Sequence, residues 1–109
     1  MGVSTDALLF YGYCWTEEDS GPEWIEGESV PTVRGIQFVV DTHCSASCPM
    51  GYVAVKSSLT VSHRGYPSKI RELTTDPAWD AALAEVCKKL GIKVGNKKPA
   101  WWLASDWSE

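Results

Sequence analysis

The sequence predicts a small α+β fold, in which an antiparallel sheet of about four strands carries one main amphipathic helix on one face. Three observations predict it. An apolar, aromatic segment lies early in the chain, strand-like segments separated by turn residues follow it, and a segment with helical periodicity comes near the end. The 109 residues, of which 44% are hydrophobic, suffice for a single domain over 1–109 with its own core.

The first predicted strand, 7–15, is apolar at successive positions and should therefore lie at the centre of the sheet, with both faces covered. The second, 34–41, places Ile36, Phe38 and Val40 on one face. The third, 51–62, alternates as a half-buried strand does, and a short final strand is expected over 101–104. In the third strand the residues predicted to share the apolar side are Val53, Val55, Leu59 and Val61.

A helix is predicted to follow Asp76, which is a good N-cap, with Pro77 at its first position and Asp80 in its first turn. Gly91 should terminate it. Its apolar residues recur at helical spacing and form a single stripe: Trp79, Ala82, Leu83, Val86, Cys87 and Leu90. A shorter helix of one or two turns is expected over 66–73.

Charge is strongly segregated along the chain. Residues 1–33 hold seven acids and no Lys or Arg, whereas 34–98 hold all ten bases and five acids. The segment 16–33 is interpreted as an acidic surface loop. Such a two-signed molecule is unlike a nucleic-acid binder, whose footprint is a dominant basic patch, and it suits a protein partner or a homodimer.

The compartment is predicted to be the cytoplasm. No apolar segment approaches the roughly 20 residues that span a bilayer, and the first residues lack the pattern of a signal peptide. In a reducing cytoplasm the four cysteines would remain thiols.

Cys44 and Cys48 have a spacing that suits two zinc ligands, with His43 adjacent and His63 and Cys14 as remote candidates. The alternative is a tight turn between strands that binds no metal. Because the ligand set is incomplete, we expect no cofactor, and zinc remains the alternative.

The other two cysteines are interpreted as packing residues. Cys87 lies on the apolar stripe of the helix, and Cys14, at the end of the first strand, is expected to pack under the helix. A Cys–His nucleophile would need Cys44 or Cys48 beside His43 or His63 with an orienting group behind it. These residue types are too common to specify such a site, so we expect no enzyme.

The segment 62–69 concentrates polar groups and is the candidate ligand site. Backbone amides at a helix start, together with His63, Arg64 and Lys69, would bind a phosphate or a carboxylate. The alternative is a plain connection from strand to helix, since the glycine pattern of a phosphate loop is missing.

Protein contacts are predicted for the acidic segment and for three tryptophans. The acids would face a basic cleft of a partner, although a solvated loop explains them as well. Tryptophan is enriched in binding hot spots. The predicted contact residues are Glu17, Glu18, Asp19, Glu23, Trp24, Glu26, Glu28, Trp101 and Trp102.

The segments 6–15, 43–55, 62–67 and 101–105 together resemble small accessory proteins encoded by tailed bacteriophages and prophages, a group without assigned activity. The resemblance implies a setting inside a bacterium. It leads us to expect a non-enzymatic protein that binds and inhibits a host protein, such as a CRISPR effector or another defence component. The alternatives are a binder of phosphate-bearing nucleotides and a zinc-stapled interaction module.

Overall fold

The computed structural model describes residues 4–15, 30–43, 51–70 and 72–108. Within these ranges all strand pairings are antiparallel, and one α-helix is present. The predicted α+β class is therefore confirmed. The elements in chain order are β1 (Ser4–Cys14), β2 (Phe38–Thr42), β3 (Gly51–Val55), β4 (Thr60–Ser62), α1 (Pro77–Leu90) and β5 (Ala100–Ser108).

Strand β1 is the centre of the sheet, as its apolar sequence predicts. Along one edge it pairs with β5 from Ser4 to Gly12, and along the other it pairs with β4 and then with β3. Strand β2 pairs with the outer edge of β3. Both faces of β1 are covered, since Phe10 on one face and Tyr13 on the other are buried.

The segment predicted as one strand over 51–62 is two strands, and this prediction was wrong. A 3₁₀ turn at Lys56–Ser58 separates β3 from β4. Gly12 pairs with Ala54, whereas Leu9 pairs with Thr60, so the turn shifts the register by three residues. Side chains alternate between faces, and an odd shift therefore moves the second half to the other face.

The register shift divides the four residues that were expected on one side. Val53 and Val55 pack in the cluster that contains the helix, and Leu59 and Val61 pack in the cluster on the opposite face. Sequence alternation alone does not reveal the inserted turn, because three extra residues leave a pattern that still looks regular.

Ser58 replaces the strand partner that β1 loses at this turn. Its buried hydroxyl accepts a hydrogen bond from the Tyr11 backbone N–H at 2.9 Å and donates one to the Val55 carbonyl at 2.6 Å. A buried backbone donor without a partner is unfavourable, so the side chain completes the pairing that the turn interrupts.

The second strand begins later than predicted. Arg34 and Gly35 have positive φ values of 54° and 77°, and a pair of hydrogen bonds joins Val33 and Ile36 across them. This is the backbone of a two-residue hairpin turn, which a regular strand cannot contain. The prediction that Ile36, Phe38 and Val40 share one face is confirmed, since all three pack against the helix-side cluster.

The final strand is longer than predicted. It runs over Ala100–Ser108 and so includes Trp107, which the sequence places in a tail. Pairing with β1 through nine positions extends it, because each added residue satisfies backbone groups of both strands.

Helix α1 matches its prediction at both ends. The Asp76 side chain accepts a hydrogen bond from the Ala78 N–H at 2.9 Å, and Gly91 adopts the left-handed conformation with φ 73°. Its stripe is buried at Ala82, Leu83, Val86 and Cys87 and half-buried at Trp79 and Leu90. No helix of the described residues is long and apolar enough to cross a membrane.

The short helix expected over 66–73 is absent from the described part of that segment, 66–70 and 72–73. Two physical reasons account for this. The residue before Pro67 is disfavoured in the helical region, and short helices need an apolar face to bury. Here Ile70 and Leu73 remain exposed, so packing does not stabilise a helix.

The core consists of two clusters, one on each face of the sheet. The helix-side cluster joins α1 to Tyr11, Tyr13 and Trp15, and the opposite cluster is centred on Phe10, which stacks on Tyr52 at 4.6 Å between ring centroids. The buried residues of the opposite cluster are Leu8, Phe10, Cys14, Tyr52 and Ala54.

Candidate functional site

A groove of about 270 Å³ lies between the start of α1 and the part of the sheet formed by β1, β4 and β5. The aromatic residues Trp79 and Trp101 form its walls, and the segment between β4 and α1 forms its rim. The lining residues are Leu9, Ser57, Ser58, Thr60, Lys69, Ile70, Glu72, Leu73, Thr74, Trp79 and Trp101.

Tyr11 fixes the two walls of the groove. Its ring lies 5.7 Å from that of Trp79 and 5.6 Å from that of Trp101, and its hydroxyl donates a hydrogen bond to Asp80 at 2.6 Å. The Trp101 indole N–H donates to the Thr75 hydroxyl at 3.2 Å. Burial, and then the hydrogen bond to Asp80, raise the pKa of Tyr11 to about 12, so this phenol keeps its proton at neutral pH.

The rim of the groove exposes large apolar side chains. Ile70 is 58% exposed and Leu73 is 50% exposed. Leu103 pairs with Leu9 of the groove lining, so its side chain lies on the same face of the sheet, and it is 76% exposed. Several large apolar side chains exposed on one face are typical of interaction surfaces.

The predicted ligand residues have different neighbours in the structure. Lys69 lines the groove, whereas the imidazole Nδ1 of His63 lies 3.5 Å from an Asp6 carboxylate oxygen. The Arg64 backbone N–H donates to the same carboxylate at 3.3 Å. A carboxylate at this position repels a phosphate. No helix begins within the described part of 66–73, so that part does not supply the helix N-terminal amides that the prediction required.

The two adjacent tryptophans lie on opposite faces of β5. Trp101 packs on the helix side, whereas the Trp102 indole N–H donates to the Gly12 carbonyl at 2.9 Å and its ring packs with the opposite cluster. One flat partner surface therefore touches only one of them. Strand alternation contains this information, but it applies only once the final segment is assigned as a strand.

Several predicted contact and metal residues lie outside the described residues. They are Glu17, Glu18, Asp19, Glu23, Trp24, Glu26, Glu28, Cys44 and Cys48.

Cys14 and His43 meet at the end of β1. The Cys14 Sγ lies 3.8 Å from the His43 Nε2, which is also 3.4 Å from the Trp15 carbonyl oxygen. Both side chains are buried. The predicted position of Cys14 under the helix was wrong, because even-numbered residues of β1 face the other cluster.

The remaining predicted thiol and imidazole lie elsewhere. Cys87 is buried on the apolar stripe of the helix, as predicted, and burial raises the pKa of its thiol to about 12. His63 follows Ser62, which pairs with Ala7, so seven residues of β1, about 24 Å, separate this region from Cys14. Within the described ranges, no three His, Cys, Asp or Glu side chains form a group able to hold a metal.

Sequence reasoning missed the groove and the Tyr11–Asp80 hydrogen bond that shapes it. Both depend on contacts between residues that are far apart in the chain, for which the sequence carries no local signal. Comparisons of the chain with protein-family models, with curated proteins and with solved structures find no match.

Proposed function

We propose that the protein is a non-enzymatic interaction protein that binds a bacterial host protein through the groove and its apolar rim, and that binding inhibits the host protein. The setting, a phage or prophage gene product acting against a defence component in the bacterial cytoplasm, rests on the sequence resemblance described above.

The observation that carries this proposal is the exposure of Leu103, Ile70 and Leu73 around a groove whose aromatic walls are already held in place. Burying one such side chain contributes about 1.5–3 kcal/mol. Walls fixed by Tyr11 lose little conformational freedom on binding, which favours affinity. Among the described residues that line it, the charged ones are Lys69 and Glu72, a mixture that suits a protein surface better than a multiply charged phosphate.

The charge of the acidic segment indicates which kind of partner surface the protein would bind. Seven acids without a Lys or Arg in residues 1–33 would steer the protein toward a partner with a basic cleft and would raise the association rate at low ionic strength. Because enzymes and effectors that handle nucleic acids carry such clefts, they are the class of host protein that this charge favours.

Affinity capture with paired variants tests the surface. Wild-type protein, Leu103→Lys and Ala84→Lys are used to capture partners from bacterial lysate. Both substitutions add one positive charge at an exposed position, but only Leu103 borders the groove. A partner that the wild type retains stoichiometrically should bind Leu103→Lys at least about tenfold more weakly and Ala84→Lys unchanged. Equal binding by all three proteins would contradict the assignment of the groove.

Charge reversal at Glu17, Glu18 and Asp19 tests whether the acidic segment speeds association with the captured partner. Replacement by Lys should lower the association rate constant and its dependence on salt, with a smaller effect on the dissociation rate. Inhibition is then measured as loss of the partner's activity on titration with wild-type protein.

The nucleotide-binding alternative predicts a different result. A panel of nucleotides should then raise the thermal unfolding midpoint, and Lys69→Ala should abolish the shift. The protein-partner proposal predicts no stabilisation by any nucleotide in the panel.

A further inference from the structure

We propose that the protein forms a homodimer in which the outer edge of β5 pairs antiparallel with β5 of a second copy. The pairing would join two five-stranded sheets into one. Its two-fold axis is perpendicular to the sheet, so both helices and both grooves would lie on the same face of the joined sheet. The proposal goes beyond the proposed function, because it concerns a backbone edge and needs no host protein.

Strand β5 lies at one edge of the sheet. Within the described ranges, β1 is the strand that pairs with it, over nine positions. The Tyr11 N–H points to the opposite edge of β1, where it donates to Ser58, so the even-numbered residues of β1 are the ones that bond to β5. Even-numbered residues of β5 pair with them, and the backbone groups of its odd-numbered residues therefore point outward.

The outward backbone groups of Trp101, Leu103 and Ser105 form no hydrogen bond with another described residue. The burial of the strand agrees with an open edge. Leu103 and Ser105 are exposed, and Trp101 and Trp102 are only half-buried although each packs against a core cluster. Leu103 thus contributes its side chain to the groove rim and its backbone to this edge.

The other two edges of the sheet are protected in ways that β5 is not. Strand β4 has three residues, and beside it the Ser68 hydroxyl donates to the Val61 carbonyl at 3.3 Å. Strand β2 has five residues and includes the exposed Asp41. The nine residues of β5 include no Lys, Arg or Pro, the residue types that commonly prevent an edge from pairing. A long edge without these features is suited to pairing with another strand.

The sequence of β5 favours a second copy of the chain as its partner. In the register that pairs all nine residues, the two-fold axis passes beside Ala104, the midpoint of the strand. Outward residues then face one another, and Leu103 pairs with Ser105 of the second copy. The two Ala104 residues form the central non-hydrogen-bonded pair, where strands approach most closely and a small side chain fits best.

Charge and hydrogen bonding agree with this register. Asp106, the charged residue of β5, is paired with Trp102 of the second copy and not with a second carboxylate. The outward backbone groups of both strands would form about eight hydrogen bonds. The half-buried tryptophans would lose further exposed area, which favours association. The net charge of −4 per chain opposes association, but physiological salt screens it.

Sedimentation of the full chain over a wide range of concentrations tests the dimer. Ser105→Pro removes an outward N–H and leaves the hydrogen bonds to β1 intact. It should weaken dimerisation at least about tenfold, because the symmetry removes two hydrogen bonds at once. Ser105→Ala is the matched control, keeps the N–H and should dimerise like the wild type. A wild type that stays monomeric at every concentration, or equal dimerisation by Ser105→Pro, would overturn the proposal.

Amide hydrogen exchange in the wild type tests the edge without any substitution. The amides of Leu103 and Ser105 should exchange more slowly as the protein concentration rises, because the second copy protects them. The amides of Trp102 and Ala104 bond to β1 and should be protected at every concentration. Exchange at Leu103 and Ser105 that does not depend on concentration would overturn the proposal, even if the protein dimerised through another surface.

A disulfide tests the register. The Cα atoms of the two Ala104 residues would lie about 4.5 Å apart, within the range of a disulfide, whereas those of the two Ser105 residues would be more than about 7 Å apart. Mild oxidation should therefore give a covalent dimer with Ala104→Cys and far less with Ser105→Cys or the wild type. Equal cross-linking of the two variants would contradict the register. None of these measurements uses a host protein, so a negative result here leaves the proposed function standing.

Discussion

The helix-side face of the sheet has two halves that differ sharply. Under α1 the face is closed, and Tyr13, Trp15, Val53 and Val55 are buried there. Toward the start of β1 the same face opens into the groove, and Leu103 is 76% exposed. One surface thus serves stability at one end and presents apolar groups to solvent at the other.

Element lengths explain the difference. A helix of 14 residues is about 21 Å long, whereas a strand of 11 residues extends about 37 Å. A helix of that length cannot cover the whole of β1, whatever its orientation. The rest of β1 is bordered by the segment between β4 and α1. The described part of that segment contains no helix, so it covers this end of the sheet incompletely. The proposed interaction surface therefore follows from a mismatch between the lengths of two elements.

The largest expected effect is at Gly12, the residue of β1 at which the pairing with β3 ends. A Cβ at this position would collide with the Val53 carbonyl and lie 2.9 Å from the Ala54 Cα. Gly12→Ala should lower the free energy of unfolding by more than about 4 kcal/mol, because backbone atoms of β3 must move. Gly91→Ala is the control: its site is sterically open, and only the positive φ of 73° opposes a side chain, at about 1–2 kcal/mol. Similar urea midpoints for both variants would contradict the close approach of β1 and β3.

Two leucines, one in the closed half and one in the open half, allow the same substitution to be compared in both. Leu83→Ala removes a fully buried side chain under the helix and should lower the free energy of unfolding by about 2–5 kcal/mol. Leu103→Ala makes the same change in the open half and should alter it by less than about 0.5 kcal/mol. Urea denaturation measures both. A large effect at Leu103 would mean that the open half is part of the core.

Ser58 tests the register shift that separates the halves. Ser58→Ala leaves the Tyr11 N–H and the Val55 carbonyl without their hydroxyl partner and should lower the free energy of unfolding by about 2 kcal/mol. Ser57→Ala, one residue earlier and exposed, should have almost no effect. Thermal and urea unfolding of the two variants distinguish them, and equal stability would show that the hydroxyl does not substitute for the strand pairing.

The last effect is absent at neutral pH, appears only at alkaline pH and concerns the closed half. The pKa of Cys87 is raised from 9.0 to about 12 and that of Tyr11 from 10.0 to about 12, so both groups keep their protons to higher pH in the folded state than in the unfolded state. The contribution of these two groups to the free energy of unfolding is complete below pH 9 and is lost as the pH rises toward 12. Cys87→Ala and Tyr11→Phe should each make the unfolding temperature fall less steeply over that range. A slope identical to that of the wild type in both would contradict the burial of these groups.

Elements with strong local signals were predicted well. Helix α1 has its cap, its proline, its apolar stripe and its terminal glycine within 16 consecutive residues, so the sequence contains everything that determines it. The central position of β1 also follows from its own residues. The 3₁₀ turn at Lys56–Ser58 was missed because the shift that it causes is visible only against the pairing partner.

The candidate sites were less predictable, because they depend on contacts between distant segments. Lys69 lines the groove, but His63 and Arg64 were grouped with it only by proximity in the chain. Cys14 and His43 are separated by 29 positions and meet because the β2–β3 hairpin pairs against the end of β1. Trp101 and Trp102 are neighbours in sequence and lie on opposite faces in space.

The pairing of β1 with β5 has a consequence for how the protein forms. Among the described elements, the central strand is synthesised first, and β5, which pairs with it over nine positions, is synthesised last. One edge of β1 therefore stays open on the ribosome until nearly the whole described chain has emerged, and an open apolar strand edge is prone to aggregation. A circular permutant that joins the ends of these two strands by a short linker would turn their pairing into a hairpin, and faster refolding is the expected result.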